Sequence, residues 1–239
     1  MGFARSTPRE EDLGFPVRAL DIRAPAACLS LSEWMVHSSG PRLIVVTAAV
    51  LGPIGSIGVT DAERWADAIS TNLVGPANVM RAVASSVTPD DRLVVFLGGG
   101  VGGPNIQPRV SAYTASKAGL AVLIEEVASD PTFAAPVVGL APGAFPTGFA
   151  DEVLDAGPEM AGSELHAQVL DTRKRGFDIG PVMAALDFIE SPQGAHLNGR
   201  MISAQRDDLA GASLLAQASS DVFRLRRVDD QSVRVVEPW

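Results

Sequence analysis

Tyr113 and Lys117 are the residues of this 239-residue chain whose types and spacing best suit proton chemistry. They stand four positions apart in Ser-Ala-Tyr-Thr-Ala-Ser-Lys-Ala-Gly, and on a helix that spacing aims both side chains from one face. A neighbouring ammonium favours the phenolate and lowers a tyrosine pKa from its ordinary value of about 10. Such a tyrosine exchanges a proton with an alcohol or carbonyl near neutral pH. An isolated Tyr and Lys at this spacing is usually a surface helix pair, so the surrounding sequence has to decide.

The elements that must position them follow from periodicity. Four short apolar runs rich in β-branched residues read as buried strands: 16–22, 42–49, 92–98 and 135–141. A weaker fifth spans 199–204. Helical patterns lie between them at 24–39, 61–86, 109–130 and 178–189. Strand alternating with helix predicts a parallel sheet with helices on both faces, an α/β fold. In such sheets ligands bind beyond the carboxyl ends of the strands. Glycines and prolines collect at those ends, in 52–55, 98–104 and 142–147.

Composition narrows the partners. The chain is 46% hydrophobic and 20% charged, with a net charge of −9. That balance argues for a globular protein and against nucleic acid or an anionic membrane as partner, because phosphates are repelled. The lone Cys28 has no internal disulfide partner, which fits a reducing cytoplasm, and it reads as a small core residue. The N-terminal residues hold no apolar signal core, and the uncharged stretch 43–60 is broken by Pro53 and glycines, so no membrane span is expected. His37, His166 and His196 lack metal-ligand spacing. Trp34 and Trp65 read as core residues in helices. The length suits one domain over 1–239.

Several segments, in order, resemble the classical short-chain dehydrogenase/reductase family. Ser-Ala-Tyr-Thr-Ala-Ser-Lys-Ala-Gly is similar to its Tyr-x-x-x-Lys segment. Ser-Thr-Asn-Leu-Val-Gly is similar to its asparagine-bearing helix at Asn72. Ala-Pro-Gly-Ala-Phe-Pro-Thr is similar to its Pro-Gly…Thr stretch, Ala-Leu-Asp-Ile-Arg to the segment beside an adenine, and 198–208 to its last strand. The resemblance covers residues from about 5 to about 228. It implies a Rossmann-like doubly wound parallel sheet. It also implies catalytic roles for Tyr113, Lys117 and Asn72, the last holding a water in a proton relay. Asp21, Ala48, Lys117, Pro142, Gly143 and Thr147 would then contact NAD(P). The region 160–180, around the amphipathic stretch 162–176, would supply lid helices over a small-molecule substrate, or read equally as a plain amphipathic surface helix. Residues 205–239 would form a C-terminal segment, in which 221–230 alternates apolar and basic residues as a docking tail or a solvated strand.

The chain departs from the family pattern in three places. It lacks the opening strand, glycine turn and helix that cradle a pyrophosphate, a unit of roughly thirty residues. The resemblance implies that the given sequence starts within the second family strand, either by loss of that unit or because the true start lies upstream; if lost, neighbouring strands are expected to close up or a partner to cover the gap. Arg5 would then sit near the adenosine ribose or hang as a loose terminal charge. Val46-Thr47-Ala48-Ala49 replaces the family's Asn-Asn-Ala-Gly turn. The family serine, about thirteen positions before Tyr113, falls on Gly100, and Ser111 is too near the tyrosine to replace it. Losing one such donor slows a reaction by roughly 10²–10³. Gly98, Gly100 and Gly103 spell G-x-G-x-x-G, but Pro104 and Pro108 prevent a helix from opening there, so the loop reads as a pocket wall whose amides could stand in for the serine.

Three functional readings follow. The first is a non-catalytic or accessory subunit that holds no NAD(P) or holds it weakly. It would associate with itself or with a complete homologue through the Asn72 and Tyr113 helices. The second is an NAD(P)-dependent oxidoreductase acting on an alcohol or carbonyl. The third is a cofactor-independent isomerase, lyase or cyclase with Tyr113 as acid/base. Loss of cradle and serine together strikes both binding and chemistry, which favours the first.

Overall fold

The computed structural model describes residues 1–5, 16–98, 100–101, 107–145, 147–219 and 221–225. The strands are β1 (Gly2–Ala4), β2 (Val17–Ala19), β3 (Leu43–Val46), β4 (Arg92–Phe96), β5 (Val137–Ala141) and β6 (Met201–Ser203). Every pairing is parallel, with Val45 opposite Val94 and Val95 opposite Gly139. The apolar runs become strands, each trimmed at its ends where the chain turns into the loops that line the site.

The helices are α1 (Pro25–Val36), α2 (Ala62–Ile69), α3 (Gly75–Val83), α4 (Ser111–Ser129), α5 (Gly148–Ala161), α6 (Ser163–Arg175), α7 (Gly180–Glu190) and α8 (Leu209–Ala218). The alternation along β4 shows why two faces need cover. Leu93 and Val95 share a core with Met35 of α1, Val83 of α3 and Ile124 of α4. Val94 points the other way, into a core with Ala185 of α7, Ile202 of β6 and Ala212 of α8. The hairpin of α5 and α6 closes a third cluster around Leu51, Val110, Val153 and Leu165.

The sequence pattern over 61–86 predicts one helix, and the structure breaks it. Residues 70–74 form a π-turn, in which Gly75 N donates to Ser70 O. Pro76 has no N–H to offer the carbonyl of Asn72, so the ordinary i→i−4 ladder cannot run through. Gly75 itself is required: a Cβ there would stand 2.5 Å from Ile22 Cδ1.

The sheet is divided. Strands β3–β4–β5–β6 form one sheet and β1–β2 another. Among the described residues β1 pairs only with β2 and β3 only with β4. The neighbours therefore do not close up into one ladder. Val45 of β3 is 36% exposed, although its partner Val94 is wholly buried. The small sheet is held by side chains instead. Its helix α1 packs on α3, Asn78 Nδ2 donates to Ile22 O at 2.9 Å, and Phe3 meets Trp34 edge-on at 6.3 Å. Cys28 sits at this junction fully buried, and burial raises its thiol pKa.

Candidate active site

Helix α4 presents the pair. Just before it, Arg109 adopts φ +69°, and its carbonyl accepts from Gly55 N at 2.8 Å, which ties the helix entrance to the 52–55 turn. Lys117 is 2% exposed, and its Nζ donates to Phe96 O at 2.8 Å at the end of β4. That nitrogen stands 5.6 Å from the centre of the Tyr113 ring. Burial brings the Lys117 pKa down to about 8.

Tyr113 departs from the expectation that its pKa is lowered. Burial pushes it up to about 12. The ring packs edge-on against Phe149 of α5, with centroids 5.5 Å apart and planes at 90°. Water that would solvate a phenolate is displaced, and the ammonium lies over the ring face with one of its N–H groups donated to a carbonyl. Desolvation outweighs the charge here.

The residue facing the tyrosine hydroxyl is Gly98, where an added Cβ would stand 2.6 Å from Tyr113 Oη. Gly100, the expected place, lies in a turn beyond it at φ +75°. Gly103 and Pro104, at the end of the G-x-G-x-x-G run, lie outside the described residues.

Asn72 acts as a clamp. Its side chain is fully buried. Val50 N donates to Asn72 Oδ1 at 2.8 Å, and Asn72 Nδ2 donates to Val50 O at 2.8 Å and to Ser116 Oγ at 3.1 Å. Ser116 in turn donates to Tyr113 O at 2.7 Å. One amide thus fixes the loop after β3 to the helix that carries Tyr113 and Lys117. Ser111 accepts from Trp65 Nε1 at 3.1 Å, which leaves it a structural partner of α2.

The remaining candidates separate into groups. Pro142 and Gly143 follow β5, where Gly143 has φ +97° and Gln205 lies against it, Nε2 donating to Pro142 O at 3.3 Å. A Cβ on Gly143 would stand 2.8 Å from Gln205 Cγ, so glycine is needed for closeness as well as for φ. Thr147 is exposed at the N-cap of α5 and makes no side-chain capping bond. Ala48 is exposed just past β3. Asp21 lies after β2 in the other sheet, where hydrogen bonds from Arg23 hold its carboxyl down to about 2. Neither Gln205 nor Phe149 carries a sequence signal; each matters through a contact made across the fold.

These residues fit a dinucleotide in part. Lys117, Pro142, Gly143 and Thr147 lie at or past the carboxyl ends of β4 and β5, where a nicotinamide ribose and carboxamide could rest. Between them and Asp21 the sheet is open, and the described residues there present no glycine turn to hold a diphosphate. Among the described residues no group of three His, Cys, Asp or Glu is arranged to hold a metal, and no helix is long and apolar enough to cross a membrane.

A family model described as short chain dehydrogenase matches residues 6–156. No curated protein matches the sequence. Several solved structures share the architecture. A short chain dehydrogenase/reductase from Saccharomyces cerevisiae matches with a TM-score of 0.74 at 20% identity, over 88% of this chain and 87% of that one. A NAD+-bound xylitol dehydrogenase matches with a TM-score of 0.64 at 21% identity, over 81% and 80%. An actinorhodin polyketide ketoreductase with NADPH matches with a TM-score of 0.64 at 20% identity, over 81% and 78%. At these identities the likeness is one of fold.

Proposed function

The chain belongs to the short-chain dehydrogenase family, and from that premise we propose that it is a non-catalytic, accessory member, associating with itself or with a complete homologue, rather than an autonomous oxidoreductase. One observation carries the reading: Gly98 faces Tyr113 Oη, and a glycine brings no side-chain donor to steady a substrate oxygen there. The tyrosine is correspondingly unprepared, since a group with a pKa of about 12 is a poor proton exchanger at neutral pH. The partial fit to a dinucleotide agrees with a chain that holds NAD(P) weakly or not at all. When bound, that cofactor would supply hydride chemistry. What the chain's own residues do is hold the ring of Tyr113 against Gly98 and Phe149 and anchor Lys117 on Phe96 O.

A second reading, an NAD(P)-dependent oxidoreductase of alcohols or carbonyls, is favoured by the intact tie from Asn72 through Ser116 to Tyr113 and by the buried Lys117. Calorimetric titration of the full chain with NADH and NADPH, followed by assays on simple aldehydes and ketones, separates the two. The accessory reading expects no saturable heat at millimolar cofactor and no cofactor oxidation. Micromolar affinity together with turnover overturns it.

A further inference from the structure

A crevice of about 420 Å³ lies where α5 meets α2 and the 52–55 turn, and neither Tyr113 nor Lys117 lines it. The turn contributes Gly52 and Ile54, α2 contributes Arg64, and α5 contributes Glu152, Asp155 and Met160. Met160 reaches across to the turn, its Cε 3.1 Å from where a Cβ on Gly55 would stand. Glu152 and Asp155 stand three positions apart and so share a face of α5. Asp151 beside them is paired with Arg173 of α6 at 3.1 Å. Among the described residues none of Arg64, Glu152 and Asp155 belongs to an ion pair. The crevice therefore presents one guanidinium and two carboxylates beside apolar surface, an excess of one negative charge.

We propose that this crevice binds a basic α-amino acid of the lysine, ornithine or arginine kind. The ligand's carboxylate pairs with Arg64, its two cationic groups meet Glu152 and Asp155, and its methylene stem lies on Ile54 and Met160. A guanidinium suits a carboxylate because its fork can hold both oxygens. The arrangement balances all three charges that line the crevice. A neutral amino acid leaves one carboxylate without a partner, and a diamine leaves Arg64 without one. The volume falls in the range of small-molecule sites, about 300–1,000 Å³. Both carboxylates ride on α5, the helix whose Phe149 packs on the ring of Tyr113. A ligand that bridges Arg64 and α5 therefore fastens that helix over the tyrosine, whether or not the chain turns over a substrate there.

Calorimetric titration of the full chain with L-lysine, L-norleucine and cadaverine at low salt tests this. Norleucine keeps the stem but lacks the side-chain ammonium, and cadaverine keeps two ammonium groups but lacks the carboxylate. Lysine is expected to bind saturably, to raise the melting temperature and to slow hydrogen exchange in α5. Norleucine and cadaverine, each short of one charge-assisted contact, are expected to bind about tenfold more weakly. Arg64→Gln and the double variant Glu152→Gln/Asp155→Asn should weaken lysine binding by at least about the same factor. The ligand series on the unaltered chain stands even if a variant melts early. Neither heat nor a shifted melting temperature with millimolar lysine overturns the proposal. So does equal affinity for norleucine or cadaverine, or lysine binding kept by variants that melt as the parent does. Lysine binding that leaves exchange in α5 unchanged places the ligand elsewhere and overturns it too.

Discussion

Tyr113 Oη occupies the space in front of Gly98 that a side chain would fill, 2.6 Å from where a Cβ would stand. The two residues belong to different elements, the loop just past β4 and the first turn of α4. Their closeness is therefore set by packing of helix on sheet. It binds local sequence to chemistry: the residue type that leaves the hydroxyl room is the one that offers it no side-chain donor.

Substitution at Gly98 should thus be felt at the tyrosine. Gly98→Ser forces the Tyr113 ring to shift, and Phe149 blocks one direction of movement. Overpacking of this kind costs roughly 1–3 kcal/mol. The same change in a Phe149→Ala background should cost less, because the ring can swing into the vacated space. Thermal unfolding of the four chains in a double-mutant cycle reads the difference, and equal costs in both backgrounds would show that Phe149 does not confine the ring.

Tyr113 is the only tyrosine, so absorbance near 295 nm reports it without ambiguity. The folded chain should show no phenolate until pH approaches 12, whereas the unfolded chain titrates at about 10. The folded state holds its proton longer, so the stabilisation is complete below pH 10 and is lost as pH rises towards 12. The loss is on the order of 2–3 kcal/mol. Denaturant midpoints that stay level from pH 9.5 to 11.5 would contradict burial of the hydroxyl.

Asn72 is the next point of leverage. Removing its amide leaves Val50 N–H and C=O without their partner and frees Ser116 from α3's entrance. Unsatisfied buried groups cost about 1–3 kcal/mol each. Asn72→Ala should therefore lower stability by roughly 2–4 kcal/mol, and Asn72→Asp should recover only the bond from Val50 N. Melting curves of both variants, read beside the 295 nm titration, show whether the loosened loop also loosens Tyr113.

How much of this was legible in the sequence depends on how each feature is encoded. The parallel sheet and the helix of Tyr113 and Lys117 follow from periodicity in 92–98 and 109–130, because burial on both faces needs near-continuous apolar runs. The break at Asn72 was readable in principle from Pro76, whose absent N–H forbids a regular helix. The direction of the Tyr113 pKa was not readable: the neighbouring charge is a sequence fact, but the burial that outweighs it comes from a cluster assembled across the fold, with Phe149 on a helix thirty-six positions away. That Gly98 rather than Gly100 faces the tyrosine hydroxyl was not readable, because it depends on the path of the loop after β4. Helix α8 went unforeseen, since Leu209–Ala218 is apolar on nearly every side and has no sharp amphipathic period.

The division of the sheet makes the last prediction. In a parallel strand alternate residues turn their N–H and C=O to opposite neighbours, so a strand paired on one side leaves half of these groups open. Strand β4 has β3 and β5 on its flanks, while β3 has β4 alone among the described residues. Hydrogen exchange resolved by residue should find the amides of Arg92–Phe96 protected throughout, and those of Leu43–Val46 alternately slow and fast. An apolar edge such as this, with Val45 36% exposed, is a template for strand addition. Uniform protection of β3 in the purified chain would mean that the edge is covered in solution. Strand β1 would then have to close on it directly, or another strand would have to lie between them. Adding Val45→Pro decides which. It removes an N–H and wedges the edge, so it should split an assembly that inserts a strand there, and it should merely destabilise a monomer whose own β1 closes the gap.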